Sequence, residues 1–436
     1  MYQFRDPVHG FIEVSEDERK IIDSTPFQRL RNIRQLATTY LVYHGAEHTR
    51  FGHSLGVMHL VTRAFDSVVS KNPLLFSKDE KENENKVAWY RQILRLIALT
   101  HDLGHSPFSH SGEELFPNGL KHEDYTKKIL IETEIAGYIH DIGKKFQEKY
   151  GAEYPIDSEL LWLIYEGKAV SSERFICPDF LFLKSFMDGD LDCDKMDYLL
   201  RDSLYCGVSY GKYDLERLIQ TLTAYKSEEE NSLQLAVERG GAQAFEEFIL
   251  ARYFMFIQVY FHKTRRYLDK VLARDLAKLL KDGKYPTEVN EYLTWNDNVV
   301  LMKLNSSTKY VFPKRQIMTC VHESSSHAEK YEKANAFLIY NVLQKQYKNH
   351  LLFDEVDKEA HKMQPILSRS KDDSGKEIPV LNEITKETQN IMDISVILQS
   401  LCRPISIQRI YADKKVESRV REEIKKLLTK DTKDLM

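Results

Sequence analysis

A chain of 436 residues exceeds what one compact core usually holds, so one large domain with a smaller lobe is expected. Its 62 lysines and arginines nearly balance 66 aspartates and glutamates, and the formal charge of −4 excludes a general nucleic-acid or membrane-surface binder. Five scattered cysteines (Cys177, Cys193, Cys206, Cys320 and Cys402), with no C-x-x-C pair, argue against a disulfide framework or a zinc knuckle; with no leader-like start and charges cutting every apolar run, a cytoplasmic protein without a membrane partner is expected.

In chain order, Ser15 and Glu18 stand at capping-box spacing, and Thr25-Pro26 with Gln28 starts a second helix, which predicts helices over 16–23 and 26–36. Phe51, Leu55, Met58, Val61, Phe65 and Val68 form a helical stripe. A helix from about Lys86 to Thr100 stops near Gly104, and Ser106-Pro107 restarts one. "LQLAVERGG" reads as a brief strand and turn, and Ala242 to Leu280 as one long helical pattern. Beyond "KDGKYPTEVN" the segments "NVVLMKL", "KYVFPKRQIMTCV" and "PISIQRIYAD" favour strands, while "NAFLIYNVLQKQY" and "ESRVREEIKKLL" favour helices. The expected fold is mainly α: a helical domain over 1–280 and a mixed α/β lobe over 281–436, with a disordered loop at 368–377.

Titratable residues stand where an apolar stripe ends. "THDLGHSPFSH" (100–110) closes a greasy helix with three histidines and an aspartate. A helix-end cap accounts for His101 and Asp102 taken alone. His53, however, lies in line with Val57, Leu60 and Ala64, and Asp194, Tyr198 and Asp202 share one helix face, where buried carboxylates need a cation. One histidine, an adjacent His-Asp and a distant aspartate make a mixed nitrogen and oxygen ligand set suited to hydrolytic metals. Such ligands do not choose among manganese, magnesium, iron, nickel and zinc.

"HTRFGHSLGV", "HDLGHSPFSH" and "DCDKMDYLLRD", in that order, resemble the HD-domain phosphohydrolase superfamily, in the branch of the SAM-and-HD-domain deoxynucleotide triphosphohydrolases and their bacterial relatives. "RDPVHGFIEV", "PFQRLRNIRQL" and "MFIQVYFHKTRR" also match, so the likeness covers about the first two-thirds of the chain. The resemblance implies an HD-domain helical core with His53, His101, Asp102 and Asp194 as metal ligands. It implies Arg50 and Lys195 as phosphate contacts, His105 and His110 at the phosphates or the attacking water, and His122 as proton donor to the leaving oxygen. Tyr198 and Asp202 would hold the nucleoside, and Gln35 the sugar. His262 and Arg266, at four-residue spacing with Gln258, either line the pocket or form a wet helix face.

Two features depart from the vertebrate pattern. Glu113 stands where an aspartate is usual, and an arginine and a tyrosine around His262 are out of register. The resemblance also implies an allosteric guanine-nucleotide site (GTP or dGTP) at Asp23, Gln28 and Arg31, in a homotetramer or dimer; a capped helix start reads the same residues equally well. The expected function is hydrolysis of a dNTP to deoxynucleoside and triphosphate with a divalent metal. The alternatives are an HD nucleotidase or phosphodiesterase, and a nucleotide- or single-stranded nucleic-acid-binding protein with a vestigial site.

Overall fold

The computed structural model describes residues 1–168, 177–227, 232–363 and 378–429, so the loop expected at 368–377 lies outside the described residues. The fold is mainly α. Two long helices, Arg50–Lys71 and Glu80–Thr100, pack against each other, and Cys193–Cys206 crosses the first of them. The burial of Val57, Leu60, Val61, Ala64, Ile93 and Leu96 makes this packing the centre of the main core.

The Ser15 and Glu18 capping box forms, starting the helix Glu16–Asp23. The second helix is shorter than expected. Its cap is Ser24, it spans Thr25–Arg29, and after a 3-10 turn Ile33 is extended so that Arg34 bridges Thr49. That bridge leads the chain directly into the His53 helix.

The helix expected after Pro107 is also replaced. Phe108 and Ser109 take φ of 58° and 49°, and only a 3-10 segment, Ser109–Leu115, follows. The left-handed backbone is costly for such residues, and Asp297 helps to hold it by accepting from the Phe108 N–H at 2.7 Å. The pattern over 242–280 splits into Ala242–Met255 and Lys263–Leu279, separated by a π-helical turn and a non-helical His262. "NVVLMKL" belongs to a helix, Asp297–Asn305, capped by Asn296, and not to a strand.

The expected strand around 233–238 pairs antiparallel with Leu222–Ser227 and parallel with Pro379–Leu381. In the C-terminal part, Ile405–Ala412 is fully buried between Thr319–Glu323 and Leu351–Lys358. The helices Lys330–Tyr347 and Glu417–Leu428 stand where the sequence places them. Residues on both sides of position 280 share one core: Phe108, Leu115 and Tyr125 pack with Tyr292, Phe312 and Tyr411. An antiparallel hairpin, Tyr2–Asp6 and Gly10–Val14, opens the chain, and its turn points into the site described next.

No helix among the described residues is long and apolar enough to cross a membrane.

Candidate active site

Three helices bring the four expected ligand side chains together. His53 comes from the first turn of Arg50–Lys71, His101 and Asp102 from the end of Glu80–Thr100, and Asp194 from the first turn of Cys193–Cys206. His53 Nε2 lies 2.9 Å from Asp194 Oδ1 and 3.7 Å from Asp102 Oδ2. His101 Nε2 lies 3.4 Å from Asp102 Oδ1 and 3.7 Å from Asp194 Oδ1. His53, His101 and Asp102 are buried, with ligand atoms all within 4.8 Å of one another.

The second ring nitrogens fix the tautomers. His101 Nδ1 donates to the Ala98 carbonyl at 2.7 Å, which leaves Nε2 buried and, among the described residues, without a hydrogen-bond partner. His53 Nδ1 meets Asp197 Oδ2 at 2.7 Å, and a carboxylate can only accept. Burial opposes charge on His53, yet Asp194 and Asp197 on its two nitrogens raise its pKa to about 10. The place of that extra proton, between His53 and Asp194, is where a divalent cation fits. Two imidazole nitrogens and two carboxylates suit such an ion, and the unpartnered His101 nitrogen aims at the same point.

Behind the ligands lies a buried ionic network that the sequence reading missed. Arg201 donates to both Asp197 oxygens at 2.8 Å and to Asp6 Oδ2 at 2.8 Å, while His9 Nε2 meets Asp197 Oδ1 at 2.6 Å. A Cβ on Gly56 would overlap the Asp197 carboxylate, so glycine there lets the helices close over the pair. The i, i+4 spacing of Asp197 and Arg201 was the available signal. The turn after His101 is pinned as well. Thr126 bridges the His101 carbonyl and the Gly104 N–H at 3.0 and 2.9 Å, and Arg29 donates to the His105 carbonyl at 2.9 Å.

A cavity of about 590 Å³ opens beside the ligands. Asp194, Lys195, Tyr198 and Asp202 line it from one helix, with Arg50 and Gln35 from the other side. Arg50 Nη1 is 2.5 Å from Asp102 Oδ2; burial would raise the Asp102 pKa, but Arg50 and the neighbouring histidines hold it well below the usual range. Arg50 therefore neutralises a ligand carboxylate besides facing the cavity. Lys195 pairs with buried Asp192 at 2.5 Å. Asp202 accepts from Tyr260 at 2.7 Å and meets His48 Nε2 at 2.8 Å, while the Gln35 Oε1 has no hydrogen-bond partner among the described residues. Leu36, Ala37, Phe256 and Phe261 give the cavity an apolar wall.

The remaining histidines surround Glu113. His122 Nδ1 lies 2.8 Å from Glu113 Oε1, His110 Nδ1 3.0 Å and His105 Nδ1 3.7 Å, and the His105 and His122 rings stack at 3.8 Å. Burial would raise the Glu113 pKa, but His110 and His122 lower it, so it is an anion. Burial, with Arg50 and His122, drives the His105 pKa well below 6.5, so that ring is neutral. His110 and Glu113 line the cavity, with His105 and His122 next to Glu113. Arg266 lines the cavity but is held by Asp354 at 2.6 Å. His262 is not on the cavity wall and packs edge-on against Tyr43 at 5.9 Å, because the helix that would have aligned it with Arg266 is broken there. Asp23, Gln28 and Arg31 form a separate surface group: Arg31 Nε donates to Gln28 Oε1 at 2.8 Å, and Asp23 accepts from Arg19 at 3.1 Å.

Residues 50–184 match the HD domain model, and 213–319 match the HD associated region. The chain belongs to the HD-domain phosphohydrolase superfamily. This HD protein is 37% identical over 286 residues to the Bacillus subtilis protein YwfO, an alignment that takes in 65% of this chain and 57% of that one. It is 29% identical over 303 residues to the deoxynucleoside triphosphate triphosphohydrolase SAMHD1 homolog of Dictyostelium discoideum, across 68% of this chain and 53% of that one. The HD chain thus spans a little over half the length of these curated relatives. A solved structure of a hypothetical protein from Aquifex aeolicus is 33% identical with a TM-score of 0.75, covering 97% of this chain and 99% of the other. The His and Asp cluster of this HD domain is compatible with a divalent metal.

Proposed function

We propose that this HD protein is a metal-dependent deoxynucleoside triphosphate triphosphohydrolase, which breaks the bond between the α-phosphorus and the 5′ oxygen and releases deoxynucleoside and intact triphosphate. One observation carries the reading: the ligand Asp194, the cations Arg50 and Lys195, and the polar face of Tyr198 and Asp202 all border one cavity. The triphosphohydrolase activity for which the Dictyostelium relative is named supports it.

A divalent ion on His53, His101, Asp102 and Asp194 supplies Lewis-acid stabilisation and lowers the pKa of water. Arg50 and Lys195 neutralise phosphate charge, which preorganised cations do best in a water-poor site. His122, held by Glu113, delivers the proton to the departing 5′ oxygen, and His110, on the same carboxylate, faces the phosphates or the attacking water. Neutral His105 offers the phosphates or the water a hydrogen bond. Gln35 accepts from the sugar hydroxyl through its free Oε1, and Tyr198 packs against the nucleoside. The proposal includes activation by GTP or dGTP at Asp23, Gln28 and Arg31, between copies in a homotetramer or dimer; the exposure of Asp23 and Arg31 and the hydrogen bond between Arg31 and Gln28 support it.

Incubation with each dNTP under manganese or magnesium, with and without GTP, tests the reading. Triphosphate and deoxynucleoside are the expected products, with faster turnover when GTP is present. Orthophosphate as the released anion would instead make the protein a nucleotidase, and no hydrolysis of any dNTP would overturn the proposal.

A further inference from the structure

The cavity is not closed by the helical domain alone. Lys358 and Lys362, from the C-terminal part of the chain, line it beside Arg252, Asp190 and Lys195. Neither lysine follows from any motif, and their place is set by backbone contacts. The strand Leu351–Lys358 is held in register against Ile405–Ala412, with Lys358 opposite Ile405. Arg252 donates to the Ala360 carbonyl, the Lys362 N–H donates to Asp190 Oδ2 at 2.9 Å, and His361 Nε2 donates to the Leu398 carbonyl at 2.9 Å. Ala360, His361 and Met363 are buried, while Lys358 and Lys362 are exposed toward the cavity. A short strap is thus fixed at three consecutive residues, Ala360 to Lys362, and presents two ammonium groups at its ends.

Those groups stand among other cations. Lys184, Lys195, Arg252, Lys358 and Lys362 lie near Asp188, Asp190, Asp192, Asp194 and Glu359, of which Asp188 pairs with Lys184, Asp192 with Lys195 and Asp190 with Arg252 at 4.0 Å. Among the described residues, neither Lys358 nor Lys362 forms an ion pair. Burial of the stem, then the repulsion of Arg252, Lys362 and Lys195, lowers the Lys358 pKa. The buried Nε of Arg252 has no partner either. Like charges held together by pinned backbone imply an anion that joins them.

We propose that Lys358 and Lys362 form a distal anion subsite that takes the terminal phosphates of a linear polyphosphate whose other end lies at the His53–Asp194 ligands. The C-terminal part of the chain then acts as a length gauge, favouring a triphosphate over a single phosphate. The subsite extends the dNTP reading but is tested without a nucleoside. Lysine presents a point charge with three donors, and each such contact to phosphate changes affinity by about tenfold.

Calorimetric titration of the metal-loaded full chain with inorganic tripolyphosphate, and separately with orthophosphate, provides the test. Each of Lys358→Ala and Lys362→Ala should weaken tripolyphosphate binding by about tenfold and the pair by about a hundredfold, with orthophosphate affinity and metal content unchanged. Lys358→Arg with Lys362→Arg should keep most of the affinity. Unchanged tripolyphosphate binding in the double alanine variant would overturn the subsite, as would equal losses for both anions or no tripolyphosphate binding by the unaltered protein. Lysine-dependent tripolyphosphate binding in a protein that hydrolyses no dNTP would leave the subsite standing and remove the dNTP reading. Hydrolysis of dNTPs with lysine-independent binding would do the reverse.

Discussion

Asp194→Ala should empty the metal centre and stop turnover while leaving the protein folded. Asp194 Oδ1 is the atom nearest His53 Nε2, at 2.9 Å, and it also faces His101 Nε2, so its loss removes the ligand that joins the two histidines. Its side chain is about one-third exposed, and buried His53 and His101 keep Asp197 and the Ala98 carbonyl as partners on their other nitrogens, so the fold should hold. A catalytic metal supplies several kcal/mol of transition-state stabilisation, and the rate should fall about a thousandfold or more. Metal content by mass spectrometry and the circular dichroism spectrum decide the matter. Full metal content in the alanine variant, or turnover by metal-stripped protein, would contradict the assignment.

Asp197→Ala should fail differently, losing both metal affinity and stability. Asp197 is fully buried and touches no cavity, yet it takes two hydrogen bonds from Arg201 and meets both His9 and His53. Without it the His53 ring loses the acceptor that fixes its tautomer, and outer-shell losses of this kind weaken metal binding by about 10- to 100-fold. Arg201, 1% exposed, would keep only Asp6 as a partner. Stranding one member of a buried ion pair costs about 3–5 kcal/mol. Metal titration and a urea unfolding curve measure the two effects separately. A stable variant with ordinary metal affinity would show that the network behind His53 does not position it.

The contrast between Asp194 and Asp197 bears on what the sequence discloses. The four proposed ligands were named through the family resemblance, and each sits at a helix end or in a helix's first turn, where a polar group amid an apolar stripe stands out. The second layer was not, because Asp6, His9 and Arg201 meet only through a hairpin turn whose position depends on tertiary packing. Glu113 was noticed as a departure, but its role needs the three histidines to fold around it. The C-terminal lysines were beyond reach for the same reason, since a strand end 164 positions after Asp194 gains meaning only when the strap is pinned.

Element errors have similar causes. "NVVLMKL" is a short apolar run, for which a strand and a helix look alike; the signal that decided it was Asn296, whose side chain accepts from the Val299 N–H. The break at 256–262 carries neither proline nor glycine, so periodicity ran through it and aligned His262 with Arg266 in error. Phe108 and Ser109 likewise lack any residue that announces positive φ, and their conformation follows from Asp297, far along the chain. By contrast, the capping box at Ser15 and the helix Glu417–Leu428 are local features, and both were legible.

Anomalous diffraction from crystals soaked in manganese, collected at two energies, tests the central claim most directly. The account predicts one strong peak about 2.1 Å from His53 Nε2, His101 Nε2 and a carboxylate oxygen of each of Asp102 and Asp194. A peak held by His105, Glu113 and His122 instead, or no peak at the four ligands, would contradict it.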